Sequence, residues 1–283
     1  MSLLQLTIIA LVQGLTEWLP ISSSGHVLLA ANLFTLEGRD ELLINAVSNL
    51  GTLAAMLIYF RKDVIAATLG GFELIGAGVR KAPLSRGAKL ALCIIVATPI
   101  AVIAAVAHET LVPDTIQAQL RSVWTVAAAT IGFGLLLWWA DVAGGKTRTE
   151  ADMTLGHAVL IGATQAIAAI IPGTSRSGIT MTAARALGYE RTEAARFSML
   201  IGAPILAAAG LYGAYGLVDA DTTGALVTLQ DGMIVAALAF VSGIASIHAL
   251  MTLLKRMSFL PFVIYRLVLG VGLIAAAPVL GLI

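Results

Sequence analysis

The sequence has 283 residues, a net charge of +1, 59% hydrophobic residues and only 12% charged residues. A soluble domain carries about 25% charged residues, so a water-soluble fold of this length is excluded. The near-zero net charge provides no basic field for nucleic acid, and the single Cys93 excludes a disulfide framework. The composition therefore predicts one membrane domain, residues 1–283, with short loops.

Six stretches approach the roughly 20 apolar residues that a spanning helix needs. They are residues 42–60, 88–107, 122–140, 197–217, 233–254 and 262–283. Two further apolar stretches, 3–19 and 155–171, are interrupted by polar residues and by a following proline. Irregular backbone is tolerated at membrane depth only where it is buried in protein or faces a polar cavity. The pattern predicts an all-α integral membrane protein of six transmembrane helices plus two re-entrant helix-loop-helix hairpins.

Basic residues indicate the orientation of these spans. If the six spans alternate, thirteen of the 17 lysines and arginines fall on one side, and most acidic loop residues fall on the other. Cytoplasmic loops carry an excess of lysine and arginine. Both termini are therefore predicted outside, with the first hairpin entering from outside and the second from the cytoplasm.

The two interrupted stretches resemble each other. An offset of 152 residues superimposes Gln13 on Gln165, Pro20 on Pro172, Ser22 on Thr174 and Ser23 on Ser175. Repeat one would cover about 1–145 and repeat two about 150–283, entering the membrane from opposite sides. An inverted-topology repeat of this kind places its special site near the midplane, where broken helices meet.

Candidate functional side chains concentrate in these two interruptions. The first carries Gln13 and Glu17, which share a helix face, and then Ser22, Ser23, Ser24 and His26. The second carries Thr174, Ser175, Arg176, Ser177 and Thr180. Arginine and helix N-termini are what a phosphate or carboxylate requires. Because a charge at membrane depth costs at least ~2.5 kcal/mol, the clustering predicts an anion-binding functional site.

The same residues have structural interpretations that stay open. Serine and threonine hydroxyls in membrane helices often bond the preceding turn, which is an alternative role for Ser24, Ser177 and Thr182. Glu17 and Arg176 could form an ion pair that holds the repeats together. Arg266, after Tyr265 in the last span, could reach the site or extend to the membrane interface.

The Q-x-x-x-E pair, the following P-I-S-S-S-G-H and the later P-G-T-S-R-S-G-I-T resemble the bacterial undecaprenyl pyrophosphate phosphatases, also called bacitracin-resistance proteins. The resemblance extends over essentially the full length. It implies a membrane-embedded phosphatase of the bacterial inner membrane that converts undecaprenyl pyrophosphate to undecaprenyl phosphate and inorganic phosphate. This reaction recycles the lipid carrier of cell-wall synthesis and confers bacitracin resistance. The resemblance also implies a divalent cation, Mg²⁺ or Ca²⁺.

The resemblance and the chemistry together assign roles as hypotheses. Ser23 is the nucleophile by its position in the family motif, His26 lies a helical turn away as a proton carrier, and Arg176 holds the terminal phosphate. Glu17 could orient His26, act as a base or bind the metal. The remaining polar residues are predicted to bind substrate: Gln13, Ser22, Ser24, Thr174, Ser175, Ser177 and Thr180.

Several alternatives remain at this point. His26 could be the nucleophile, through a phosphohistidine, or water could attack directly. The site is expected to open to the extracytoplasmic face, membrane lipid is the expected surrounding partner, and a homodimer is an open alternative to a monomer. A transporter or lipid flippase is the competing functional class, because broken helices in inverted repeats are typical of secondary transporters.

Overall fold

The computed structural model describes residues 3–23, 25–26, 38–77, 83–145, 147–223 and 228–278. Within these ranges the chain forms helices, a short 3-10 turn at Glu150–Asp152 and one isolated bridge between Arg148 and Tyr189. The helices are α1 (Leu3–Thr16), α2 (Gly38–Tyr59), α3 (Arg61–Ala77), α4 (Arg86–Ala97), α5 (Pro99–Leu111), α6 (Asp114–Leu120), α7 (Val123–Ala143), α8 (Leu155–Ala163), α9 (Gln165–Ile170), α10 (Arg176–Ala186), α11 (Arg191–Thr223), α12 (Leu229–Leu253) and α13 (Leu260–Ala276). The predicted all-α class is confirmed.

Four helical segments of the described chain are long and apolar enough to cross a membrane. They are α4 with α5 (Arg86–Leu111), α7, the Arg191–Tyr212 part of α11, and α12. They correspond to four of the six predicted spans. The predicted span 42–60 forms as α2, but the chain then bends by 89° into α3. The predicted span 262–283 is described as the 17-residue helix α13, so the count of six stays a prediction.

Both interrupted stretches form short helices that end close to a proline. Because proline cannot donate a backbone N–H, α1 ends before Pro20 and α9 before Pro172. After the second turn, Ser175 accepts a hydrogen bond from Gly178 N and caps α10. After the first turn the backbone is helical again at Ser23, and the remainder of that arm, 27–34, lies outside the described residues.

The backbone corrects the predicted register between the two turns. Ser22 and Ser175 both have positive φ, 71° and 68°, and each directly precedes helical backbone. They are 153 residues apart, so the second turn contains one residue more than the first. The predicted pairing of Ser22 with Thr174 and of Ser23 with Ser175 is therefore wrong by one position, and Ser23 corresponds to Arg176.

The two halves of the chain interlock through their hairpins. Helix α1 packs on α12, and α8 packs on α4. Both contacts are close: a Cβ at Gly14 would lie 1.9 Å from Ser242 Oγ, and one at Gly162 would lie 2.2 Å from the Ala97 carbonyl oxygen. The first arm of each hairpin thus packs on a helix from the other half, which brings the two turns together.

Charged side chains from several segments meet at one end of the molecule. Arg196 forms ion pairs with Asp63, Glu150 and Glu193, and Arg86 pairs with Asp63 and Glu150. Burial alone would raise the pKa of Glu150, but hydrogen bonds from both arginines hold this pKa below its usual value. The cluster thus joins segments that the charge pattern assigned to a common side, and the sidedness itself stays a prediction.

A second buried charge cluster lies in the same group of segments. The Asp141 carboxylate accepts hydrogen bonds from Arg185 Nε and Arg191 Nε, both at 2.9 Å, and from the Phe259 backbone N–H at 3.1 Å. These bonds join the end of α7 to the end of α10 and the starts of α11 and α13. Because these hydrogen bonds pair its oxygens, the buried Asp141 carboxylate fixes the relative positions of these helix ends.

Candidate active site

The two turns face a cavity of about 560 Å³. Seven of its lining residues carry polar side chains of the interrupted stretches or of α2: Gln13, Glu17, Ser23, Asn45, Asn49, Gln165 and Arg176. Alanine and leucine side chains of α5, α9 and α11 form apolar walls, and His108, Glu109 and Arg121 line the cavity where α5 ends and α7 begins. The cavity thus combines a polar region with walls suited to a hydrocarbon chain.

Glu17 connects the two turns. Its Oε1 accepts a hydrogen bond from Arg176 Nη2 at 2.8 Å. Its Oε2 accepts one from Gln13 Nε2 at 2.9 Å and one from Ser23 Oγ at 3.2 Å. The side chains of Glu17 and Arg176 are 9% and 15% exposed. The ion pair between the repeats therefore exists, and the same carboxylate holds a hydroxyl in the cavity.

Arg176 is held by its surroundings as well as by its charge. Its guanidinium carbon lies 5.2 Å from the centre of the buried Trp18 ring, an arrangement that attracts the cation to the aromatic face. A Cβ on Gly202 of α11 would lie only 1.7 Å from Arg176 Nη1. The guanidinium thus occupies the space that the missing side chain of Gly202 leaves, and its orientation is fixed.

Most of the other predicted binding hydroxyls bond the protein itself. Ser177 Oγ donates to the Leu19 carbonyl at 3.0 Å, which joins the two turns, and Thr174 Oγ1 donates to the Ile171 carbonyl at 2.7 Å. The buried Thr180 bonds Ser198 Oγ at 2.6 Å. Ser175 caps α10, Ser22 is fully buried, and Ser24 lies outside the described residues. Their roles as substrate ligands stay predictions.

The ring nitrogens of His26 contact groups other than Glu17 and Ser23. Its Nδ1 is 2.7 Å from the Ser22 carbonyl, and its Nε2 is 2.6 Å from the Tyr265 hydroxyl. A carbonyl only accepts, so Nδ1 carries a proton, and in the neutral ring Nε2 accepts from Tyr265. The structure therefore places Glu17, rather than His26, beside the Ser23 hydroxyl.

Arg266 of α13 is fully buried and bonds backbone carbonyls of both turns. Its Nη2 donates to Gly173 and Thr174 at 3.0 Å, its Nη1 to Pro20 at 3.4 Å, and its Nε to Thr130 at 2.9 Å. The interpretation that Arg266 extends to the interface is wrong. The guanidinium instead ties the two turns to α7, behind the cavity.

Three of the cavity-lining residues that the sequence interpretation did not assign to the site carry side-chain amides, namely Asn45, Asn49 and Gln165. Asn49 Oδ1 accepts a hydrogen bond from Gln13 Nε2 at 3.1 Å. A signal was present, because Asn45 and Asn49 are four residues apart within a predicted span and so share one helix face. Primary amides at membrane depth are uncommon enough to mark a polar site.

A divalent cation fits this donor set in part. Within the described ranges there is no group of three or more His, Cys, Asp and Glu side chains that could hold a metal ion. Mg²⁺, however, is usually bound through one or two carboxylates together with substrate phosphates and water. Glu17, with the neighbouring amide oxygens of Gln13 and Asn49, suits such a bridging cation.

These features are those of a polytopic membrane protein with a partly polar cavity at the tips of two broken helices. The family described as bacitracin resistance protein BacA matches residues 6–272, and the chain belongs to this family. The chain is accordingly a multi-pass protein of the bacterial inner membrane.

Relatives of similar length share a single name. The chain is 66% identical over 279 residues to an undecaprenyl-diphosphatase of Hyphomonas neptunium, covering 99% of this chain and 98% of that protein. It is 45% identical over 274 residues to an undecaprenyl-diphosphatase of Maricaulis maris, with coverage of 97% and 98%. A relative of the same name from a Jannaschia species is 44% identical over 279 residues, with coverage of 98% and 99%.

Proposed function

We infer that the chain is an undecaprenyl-diphosphatase. It hydrolyses undecaprenyl pyrophosphate to undecaprenyl phosphate and inorganic phosphate, which recycles the lipid carrier of cell-wall synthesis and confers bacitracin resistance. We propose that the reaction takes place in the cavity around Glu17. The observation that carries this location is that one carboxylate contacts both Ser23 and Arg176, from different halves of the chain.

The first step is attack on the terminal phosphorus. Ser23 Oγ forms the new P–O bond, its proton passes to Glu17 Oε2 at 3.2 Å, and the bond to the bridging oxygen breaks. Undecaprenyl phosphate leaves, and a phosphoserine remains. Arg176 and the free N–H groups at the start of α10 bind the terminal phosphate oxygens, where charge shifts as the bond breaks.

The second step is hydrolysis of the phosphoserine. Glu17 has by then passed the first proton to the departing undecaprenyl phosphate. Water attacks phosphorus, Glu17 accepts a proton from that water, and Glu17 returns the proton to Ser23 Oγ as the bond between Oγ and phosphorus breaks. Inorganic phosphate departs and the hydroxyl is restored. Because Glu17 Oε1 also contacts Arg176, the incoming phosphate competes with Glu17 for the guanidinium, and binding of substrate weakens the ion pair between Glu17 and Arg176.

A Mg²⁺ or Ca²⁺ ion would be held by Glu17, with amide oxygens of Gln13 and Asn49 and oxygens of the substrate itself. When bound, it would neutralise part of the diphosphate charge. His26 acts in this proposal as a positioning residue, since its contacts with Ser22 and Tyr265 fix the start of the helical segment that carries Ser23.

We propose six spans with the hairpins of both repeats re-entrant, both termini outside, and the cavity open to the extracytoplasmic face. The acidic loops of the outer side and the site's position at the end of α1 support this orientation. Nucleic acid is not a proposed partner, because the net charge is only +1. Glu17 contacts Gln13, Ser23 and Arg176 of its own chain. A second copy of the chain is therefore not needed to complete this part of the site.

Reaction and site can be tested separately with purified protein. The wild type is expected to release phosphate from farnesyl diphosphate, whereas Glu17→Gln should lower kcat by ~10²–10⁴-fold because the proton acceptor is lost. Glu109→Gln is the matched control, since Glu109 lines the same cavity but forms no hydrogen bond or ion pair with Ser23 or Arg176 among the described residues. No release by the wild type would contradict the function; a normal rate for Glu17→Gln would contradict only the role of Glu17.

The orientation has its own test. Tags at both termini should react with a membrane-impermeant reagent added to spheroplasts, because both ends are proposed to lie outside. A tag between residues 78 and 82 should react only after lysis, since basic residues dominate this cytoplasmic segment. A C-terminus protected until lysis would contradict the count of six spans.

A further inference from the structure

Gln165 is a buried polar residue that the mechanism above does not use. It begins α9, lines the same cavity as Glu17 and Arg176, and is 2% exposed. Neither its Nε2 nor its Oε1 has a hydrogen-bond partner among the described residues. Buried side-chain amides are nearly always hydrogen-bonded, because an unpaired donor or acceptor loses its water without compensation. A cavity-lining amide that bears this cost indicates a ligand.

The corresponding residue of the first repeat explains why Gln165 is unpartnered. Gln13 donates to Glu17 and to Asn49. In the second repeat Ala169 stands at the position of Glu17, at the offset of 152, and Gly202 stands at the position of Asn49, at the offset of 153 that holds after the turns. Neither residue carries a polar side chain. The two repeats have therefore diverged. Gln13 donates a hydrogen bond to the Glu17 carboxylate, whereas the side-chain amide of Gln165 has no partner among the described residues.

We propose that Gln165 binds the diphosphate head of the substrate through its Nε2, which donates to a non-bridging phosphate oxygen. This inference rests on the proposed function and adds a substrate-binding residue to the site. The chemistry fits, because an amide donor adds no charge next to Arg176 and remains a donor at every pH at which the enzyme works. A hydrogen bond to a charged oxygen is also stronger than one between neutral groups.

Gln165→Leu removes both polar atoms and keeps a similar volume. Because the hydrogen bond to a charged group is lost, kcat/KM for farnesyl diphosphate should fall by about 10- to 100-fold. The melting temperature without substrate should stay equal or rise, because an unpaired buried amide is removed. This combination separates a ligand-binding residue from a structural one, whose loss lowers both activity and stability.

Inhibition by products then identifies the phosphate that Gln165 contacts. Weaker inhibition by inorganic phosphate alone would place the contact on the terminal phosphate, and weaker inhibition by farnesyl monophosphate alone would place it on the lipid-linked phosphate. Thr164→Ala is the matched control, because the Thr164 hydroxyl bonds its own helix at the Ile161 carbonyl. It should leave kcat/KM unchanged.

Two results would overturn the proposal. One is a Gln165→Leu enzyme with unchanged kcat/KM and unchanged inhibition by both products. The other is a parallel fall in activity and melting temperature, which would make Gln165 a packing residue. Both results require that the wild-type enzyme is active. If the proposed phosphatase activity itself were wrong, the wild type would release no phosphate, so the two failures can be distinguished.

Discussion

Arg176→Lys is expected to lower kcat/KM by about 10²–10³-fold although the positive charge is kept. The guanidinium lies on the Trp18 ring and donates to Glu17 Oε1 at 2.8 Å, a geometry that a planar, forked group satisfies and an ammonium does not. A lysine would present a single ammonium group in place of the two or more guanidinium N–H groups that are proposed to donate to the phosphate. Steady-state phosphate release, with native helix content checked by circular dichroism, measures the effect.

A second variant tests the position of Arg176 without changing it. A Cβ added in Gly202→Ala would lie 1.7 Å from Nη1, so the guanidinium must move, and a loss of activity is expected with all catalytic groups present. Gly132→Ala is the control, because its Cβ would meet nothing within 4 Å. If Arg176→Lys kept a nearly normal rate, Arg176 would be a structural charge and its assignment to the terminal phosphate would be wrong.

The helical class and most spans follow from the sequence because hydropathy depends on composition alone. The bend after α2 does not. Hydropathy predicts where the apolar run stops, but the 89° turn depends on contacts that fix the following segment. Asp63, just after the bend, pairs with Arg86 and with Arg196, which are 23 and 133 residues away in the chain. Such long-range partners are invisible in a local pattern.

The central cluster of the site could be predicted because its residues are charged or reactive at membrane depth. Glu17, Ser23 and Arg176 do lie together in one cavity. The hydroxyls were harder to interpret, since a serine beside a helix start can cap the helix or bind a ligand with the same sequence signature. Ser175 caps α10 and Ser177 joins the turns, and only coordinates distinguish these uses.

Arg266 shows a further limit of sequence reasoning. A buried arginine is expected to have a carboxylate partner, but the five hydrogen bonds recorded for Arg266 end on backbone carbonyls of three chain segments. Backbone acceptors occur at every position, so no residue pattern predicts them. These bonds hold the two turns together and therefore position Ser23 relative to Arg176.

Ser23→Ala is expected to abolish phosphate release and to leave substrate binding largely intact. A single hydroxyl contributes only ~0.5–1.5 kcal/mol to ground-state binding, whereas the covalent step requires the nucleophile. Ser23 Oγ donates to Glu17 Oε2 at 3.2 Å, and that carboxylate keeps Gln13 and Arg176 as partners when the hydroxyl is removed. The variant should therefore fold normally.

Ser177→Ala is the matched variant, because it removes a hydroxyl that joins the two turns and leaves the nucleophile in place. It should lower stability more than it lowers kcat.

Ser23→Cys could keep weak activity, since a thiol attacks phosphorus but places a larger sulfur there. His26→Ala should lower the rate by disturbing the start of the helical segment after Ser22, and the double variant with Ser23→Ala should be little worse than Ser23→Ala alone.

The direct measurement is to trap the phosphoenzyme by rapid acid quenching and to locate the phosphate by mass spectrometry. Phosphate on Ser23 is expected, because its Oγ lies beside the Glu17 carboxylate, while both ring nitrogens of His26 contact other groups. Phosphate on His26 would instead require the bond to Tyr265 to break before attack. Substantial turnover by Ser23→Ala would assign the attack to water and leave Glu17 as its base.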